Sequence, residues 1–110
     1  MEKVYNKLVR DNIPNIIRNN NEEPITRILS DAEYKNELEK KLYEEYQEVI
    51  ETTEEDRIEE LADMLEVMKA LAKLENKTLE DIINTSEQKN KKRGAFNEKI
   101  FLEKVIESNE

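Results

Sequence analysis

The chain has 110 residues, 36% hydrophobic and 41% charged, with a net charge of −9, one Gly, two Pro, no Cys and no His. That length predicts one domain over residues 1–110 with a limited core, and so little Gly and Pro argues against a β-sandwich and for charged helices joined by short turns. The absence of thiol and imidazole excludes disulfides, Cys or His nucleophiles and zinc sites of the usual ligands, and the acidic balance argues against a broad nucleic-acid surface.

Aromatic content is 5% and mean hydropathy is −0.93. So little apolar surface predicts an oligomer, in which a partner subunit completes the core. The opening "MEKVYNKLVR" lacks the apolar centre of a signal peptide, and no apolar run approaches membrane-spanning length. The expectation is a cytoplasmic protein without membrane contact.

In chain order, Asp11 or Asn12 caps a short helix that carries Pro14 in its first turn and Ile13, Ile16 and Ile17 on one side. "NNNEEP" ends it. "ITRIL" (25–29) alternates and is β-branched, the pattern of a short strand. Ser30 with Glu33 forms a capping box that opens a helix from about Asp31 to about Glu51, with Tyr34, Leu38, Leu42, Val49 and Ile50 as its apolar positions. Thr52 or Thr53 caps a second long helix with the stripe Ile58, Leu61, Ala62, Leu65, Met68, Leu71, Ala72 and Leu74. "ENKT" breaks it, and Thr78 with Asp81 starts a further helix through Leu79, Ile82 and Ile83. "KIFLEKVI" is ambiguous between strand and frayed helix. The expected fold is mainly α: a bundle of about four helices, with room for a short two-stranded β element.

Charge is unevenly placed. Residues 31–66 hold fifteen acidic side chains against four basic ones, residues 88–104 six basic against two acidic, and residues 1–18 four basic against two acidic. An acid block between basic ends suits a ligand that carries both metal cations and phosphates. Within the block, Glu45 and Glu48 share a helix face, as do Glu60 and Asp63, because residues three apart project from adjacent turns. The short turn between the helices predicts antiparallel packing, with the two pairs facing one another. Four converging carboxylates are a hard-cation site that needs no His or Cys, and Mg²⁺ takes such oxygen ligands. Spacing alone leaves a second reading open, a solvated acidic surface. Against it, no basic side chain neighbours Glu48 or Asp63 along its own helix.

Glu44-Glu45-x-x-Glu48 followed by Glu60-x-x-Asp63 resembles the E-E-x-x-E…E-x-x-D pattern of the MazG-like, all-α nucleoside triphosphate pyrophosphohydrolases. "YNKLVRDNIP" and "KKRGAF" are similar to blocks of a small single-domain branch labelled phosphoribosyl-ATP pyrophosphohydrolase-like. The eleven residues between Glu48 and Glu60 lie at the short edge of that pattern's spacing. The resemblance implies a homodimer or homotetramer that hydrolyses the α–β phosphate bond of a nucleotide to a monophosphate and pyrophosphate. It implies Glu45, Glu48, Glu60 and Asp63 as ligands of Mg²⁺ (or Mn²⁺). Glu44, Glu45 and Glu48 become the catalytic carboxylates, Glu44 as support or to orient water. A raised-pKa Glu is the one type of base this residue inventory supplies.

Lys7, Arg10, Lys92 and Arg93 are the candidates for holding the triphosphate, with Lys91 beside them and Gly94 offering a turn whose N–H groups approach an anion. Helix-dipole compensation by Lys92 and Arg93, and a salt bridge and cap by Arg10 and Asp11, are the structural alternatives. Two other functional readings stand beside the enzyme: an inactive nucleotide- or metal-binding module of the same fold, and an acidic helical module that docks a basic protein.

Overall fold

The computed structural model describes residues 1–107, and these form four helices: α1 (Ile13–Asn19), α2 (Asp31–Glu51), α3 (Glu54–Leu74) and α4 (Leu79–Arg93). There is no strand among the described residues. Neither 25–29 nor 99–106 forms a strand or a helix. Alternation and β-branching favour an extended backbone, yet a strand needs a neighbour to take its N–H and C=O groups. No helix of the described residues is long and apolar enough to cross a membrane.

The helix ends follow from local chemistry. Ser30 Oγ accepts from the Glu33 backbone N–H at 3.3 Å, and Glu33 Oε1 accepts from the Ser30 N–H at 3.2 Å, so α2 opens on a complete capping box. Arg27 adds a two-pronged grip on the Glu33 carboxylate at 3.2 and 3.0 Å. Pro14 lies in the first turn of α1, where its missing N–H has no intrahelical partner to lose. Neither Asp11 nor Asn12 caps that helix with a side-chain bond; Asn12 holds the cap position in a helical conformation.

Helices α1 and α3 close alike. Asn21 (φ 62) and Asn76 (φ 58) take the left-handed position just past each helix, and their N–H groups donate to Arg18 and Lys73. The next N–H groups, of Glu22 and Lys77, reach back to Ile17 and Ala72. This double closure satisfies the last carbonyls, and Asn tolerates the positive φ it requires.

Two residues, Thr52 and Thr53, join α2 to α3. Thr52 Oγ1 donates to the Glu48 carbonyl at 2.9 Å, and Arg57 Nε to the Thr52 carbonyl at 2.8 Å. So tight a connection sends α3 back antiparallel along α2, and it puts Glu54 at φ 55. Packing between these two helices holds the core, where Leu38 (3% exposed) and Val67 (8%) are the buried apolar side chains.

The chain divides into two units, one over Met1–Leu79 and one from Glu80 onward. The first holds α1, α2 and α3. In the second, α4 has no buried residue and is followed by Gly94 (φ 78), whose N–H donates to the Asn90 carbonyl at 2.8 Å. Phe96 is exposed and not part of a core.

The apolar stripe of α3 is only partly the buried one. Val67 faces α2, with Met64, Met68, Leu71 and Ala72 half-buried, whereas Ile58, Leu61, Ala62 and Leu65 are exposed. On α2, Leu42 and Val49 are half-buried and Ile50 is exposed. Inward-facing positions that a period of apolar residues would claim are taken by Glu45, Glu60 and Asp63 instead.

Candidate metal centre

Glu45 is 7% exposed, an acidic side chain held between two helices. It lies about two turns from the Thr52–Thr53 end on α2, on the line of Leu38 and Val49, so the same periodicity that buries the leucine buries the carboxylate. Glu60 and Asp63 occupy the corresponding stretch of α3 and are half-buried. One carboxylate oxygen from each of Glu45, Glu60 and Asp63 lies within 4.8 Å of the others, the separation at which three oxygens can share one cation.

Two carboxylate oxygens of these residues have no donor. Glu45 Oε2 and Glu60 Oε2 are buried without a hydrogen-bond partner. An unsatisfied buried carboxylate oxygen carries a desolvation cost that a proton or a cation removes. The electrostatics respond accordingly. A hydrogen bond shared with the Glu48 carboxyl, then burial, then the charges of Glu48, Asp63 and Glu45 push Glu60 up to about 7 from the ordinary 4.5. Burial foremost, with Glu48 and Asp63 adding repulsion and Lys41 opposing, raises Glu45 as well. That hydrogen bond exists only when one carboxyl of the pair is protonated; with both ionised, no proton is available between them.

Four of the five acidic candidates therefore act on one another. Glu48 is exposed and stands beside Glu45 and Glu60, completing the cluster from its solvent side. Glu44 stands apart, 3.8 Å from Lys41 Nζ in an i,i+3 ion pair on the surface of α2.

Asp63 does have a basic partner, from a segment its helical neighbours do not reveal. Arg10 Nη2 is 2.6 Å from Asp63 Oδ1, so the N-terminal arm reaches the rim of the cluster. Arg10 pairs with Asp63 and not with the adjacent Asp11. Contacts 53 positions apart leave no periodic trace, and the positive charge in "YNKLVRDNIP" was the one signal for this residue. Lys7 Nζ lies over the Tyr5 ring at 5.7 Å from its centroid, a cation–π contact outside the cluster.

Lys92 and Arg93 belong to the second unit, where they line an open groove on α4 with Lys89 and Lys91. Three basic side chains in the last turn complement the negative end of the helix dipole. Gly94 does not offer a free N–H to an anion, because its amide completes α4 by bonding Asn90. Its positive φ makes glycine the natural residue there.

Comparisons of the chain with family models, with curated proteins and with solved structures find no match.

Proposed function

We propose that this chain is a Mg²⁺-dependent nucleoside triphosphate pyrophosphohydrolase that splits the α–β anhydride to a nucleoside monophosphate and pyrophosphate, and that it works as a homo-oligomer in the cytoplasm. The observation that carries the reading is the pair of donorless buried oxygens, Glu45 Oε2 and Glu60 Oε2, beside Asp63 and Glu48. A fold gains nothing from burying acidic groups this way unless a positive species meets them.

The residues fit a hard divalent cation. Glu45, Glu60 and Asp63 supply three oxygens at ligand spacing, and Glu48 is placed to supply a fourth. Mg²⁺ accepts an all-oxygen set completed by water and phosphate, with Mn²⁺ as its substitute. Once bound, such an ion neutralises phosphate charge and acidifies a water molecule.

The chain's own groups account for the remaining work. Water adds to phosphorus, the anhydride P–O bond breaks, and the bridging oxygen leaves with its electron pair on the departing phosphate product. The proton released by the water passes to a carboxylate. Glu48 is suited to take it, because it is exposed and lies beside Glu60 at the edge of the cluster. Glu45 is buried and serves as ligand, and Glu44 supports the helix face from its pair with Lys41. Arg10 stands where it can exchange Asp63 for a phosphate oxygen, gripping it through two N–H groups. Lys7, on the same N-terminal arm as Arg10, supplies further positive charge for the triphosphate.

Product analysis tests this reading. Purified protein is incubated with a panel of nucleoside triphosphates in Mg²⁺ or EDTA, and the products are separated by ion exchange. Monophosphate and pyrophosphate that require metal, and that are lost in Glu48→Gln and Asp63→Asn, are the expected result. Diphosphate with orthophosphate would mean a different bond is cut. Metal-dependent nucleotide binding without product would leave a binding module, and neither product nor metal binding would leave an acidic docking surface.

A further inference from the structure

Lys41 differs from every other basic side chain of α2 and α3. Lys35, Lys40, Arg57, Lys69 and Lys73 are exposed, and two of them are spent on neighbours: Lys40 on Glu37 at 3.2 Å and Lys69 on Glu66 at 3.1 Å. The Lys41 side chain is only 21% exposed, so its stem is packed along the hairpin. Its ion-pair partner Glu44 lies 3.8 Å from Nζ, beyond hydrogen-bond range. Among the described residues no hydrogen bond engages this ammonium group, which has three N–H donors to give.

Helical spacing sets Lys41 in line with the acid cluster. Lys41, Glu45 and Glu48 lie at i, i+4 and i+7 on α2, a single stripe that runs about 10 Å along the axis. The lysine charge reaches Glu45, whose upward shift it opposes. Glu48 is the member nearest the Thr52–Thr53 turn and Lys41 the farthest from it. Because α3 runs back antiparallel, Asp63 lies farther from the turn than Glu60, and Arg10 on Asp63 stands toward the Lys41 end. The site therefore has a direction. An exposed carboxylate lies at the turn end and two cations at the other, with the buried carboxylates between them.

We infer that Lys41 is a phosphate-binding residue that holds the departing pyrophosphate, with water attacking the α-phosphorus from the Glu48 side. The inference rests on the anhydride cleavage proposed above and assigns its geometry. Attacking and leaving oxygens lie roughly in line across the phosphorus, so a proton acceptor at the turn end points the leaving oxygen toward Lys41. Pyrophosphate carries more negative charge than a nucleoside monophosphate, so it is the product that two cations suit. In the step, the water oxygen bonds the α-phosphorus and the bridging P–O bond breaks. The electron pair leaves on the pyrophosphate oxygen, and the water proton passes to Glu48. Lys41 donates hydrogen bonds to the oxygens that gain this charge, an interaction stronger in the transition state than before it.

Equilibrium binding tests the assignment without turnover. Inorganic pyrophosphate and, separately, AMP, CMP, GMP and UMP are titrated calorimetrically into the full chain in Mg²⁺. Lys41→Met is expected to weaken pyrophosphate binding about tenfold or more, the scale of a charge-assisted hydrogen bond, and to leave monophosphate binding unchanged. Lys41→Arg is expected to keep most of the pyrophosphate affinity. Mg²⁺ alone is expected to bind Lys41→Met at least as tightly as wild type, since a positive neighbour of Glu45 is gone. Lys40→Met, at a lysine 70% exposed and paired with Glu37, is expected to match wild type throughout.

Wild-type affinity for pyrophosphate in Lys41→Met overturns the inference, as does a wild-type chain that does not bind pyrophosphate. A loss confined to monophosphates overturns it too, and so does an equal loss of pyrophosphate, monophosphate and Mg²⁺, which marks a merely structural lysine. Product formation by wild type with normal pyrophosphate binding in Lys41→Met would sink the inference and leave the reaction standing. Selective pyrophosphate loss in Lys41→Met with no product from wild type would do the reverse.

Discussion

Arg10 Nη2 sits 2.6 Å from Asp63 Oδ1, tying an N-terminal arm without regular structure to the rim of a carboxylate cluster between two helices. Both side chains are about half exposed, so the pair contributes little to stability, under about 1 kcal/mol. Its consequence is electrostatic: Asp63 meets either the guanidinium or an incoming cation. Arg10→Gln is expected to leave the melting temperature nearly unchanged and to tighten Mg²⁺ binding by up to about fivefold, the size of a ~1 kcal/mol Coulomb interaction in water. Nucleotide turnover is expected to fall, because the phosphate grip is lost. Isothermal titration with Mg²⁺ and product assays on the one variant read the two effects separately, and weaker Mg²⁺ binding in Arg10→Gln would contradict the account.

The cluster sets a pH dependence. Glu60, raised to about 7 chiefly by the hydrogen bond shared with Glu48, binds its proton more tightly folded than unfolded. A raised pKa gives stability that is complete below the unfolded value of 4.5 and is lost as pH rises through about 7. Glu45 shifts in the same direction. In EDTA the melting temperature is therefore expected to fall between pH 5 and 8, and Glu60→Gln to flatten that slope. Added Mg²⁺ competes with the proton, so its stabilising shift is expected to grow over the same range. A melting temperature in EDTA that rises steadily with pH, with no response to Mg²⁺ at pH 8, would remove the basis for a cation site.

The start of α2 behaves in the opposite sense. Arg27 foremost, with the Ser30 backbone and hydroxyl, holds Glu33 down at about 2. A depressed carboxyl stabilises fully above the unfolded value of 4.5, and that contribution is lost as pH falls toward 2. Ser30→Ala removes the hydroxyl that accepts from the Glu33 N–H and is expected to cost about 1 kcal/mol at pH 7. Arg27→Ala is expected to shift the acid unfolding midpoint upward. Urea melts at pH 7 and an acid titration followed by circular dichroism check the two.

Glu54 occupies φ 55, a conformation that disfavours any side chain with a Cβ. The two-residue turn imposes it, since α3 must reverse direction at once after α2. Glu54→Gly removes that strain at the helix's first position, where the propensity penalty of glycine is small, and is expected to stabilise by up to about 1 kcal/mol. Destabilisation of that size in urea melts would show that the turn relaxes without left-handed backbone.

Much of this protein was legible in its sequence because local chemistry decides it. The capping box of Ser30 and Glu33 set the start of α2 at Asp31, and its end at Glu51 followed from the threonines after it. Asn-rich "NNNEEP" and "ENKT" marked helix ends because asparagine tolerates the positive φ that such closures need. The facing of Glu45 with Glu60 and Asp63 was legible too, since helical spacing and a short turn fix which positions can meet.

Other features lie beyond any local pattern. A strand at 25–29 was expected from composition, but pairing needs a partner that tertiary structure did not bring. Ile58, Leu61 and Leu65 carry the same 3.6-residue period as a buried stripe; only the packing of α3 on α2 decided that Val67 turns inward and those three turn out. The Arg10–Asp63 pair came from chain reversal across the whole α1–α3 unit. By itself the sequence determined the helices, the Ser30–Glu33 capping box and the facing carboxylates, because backbone geometry and periodicity act within a few residues. The side-chain caps expected from Asp11 or Asn12 and from Thr52 or Thr53 did not form. Tertiary structure alone decided which apolar face is covered and which arginine meets the cluster, because those depend on contacts between segments that no local rule relates.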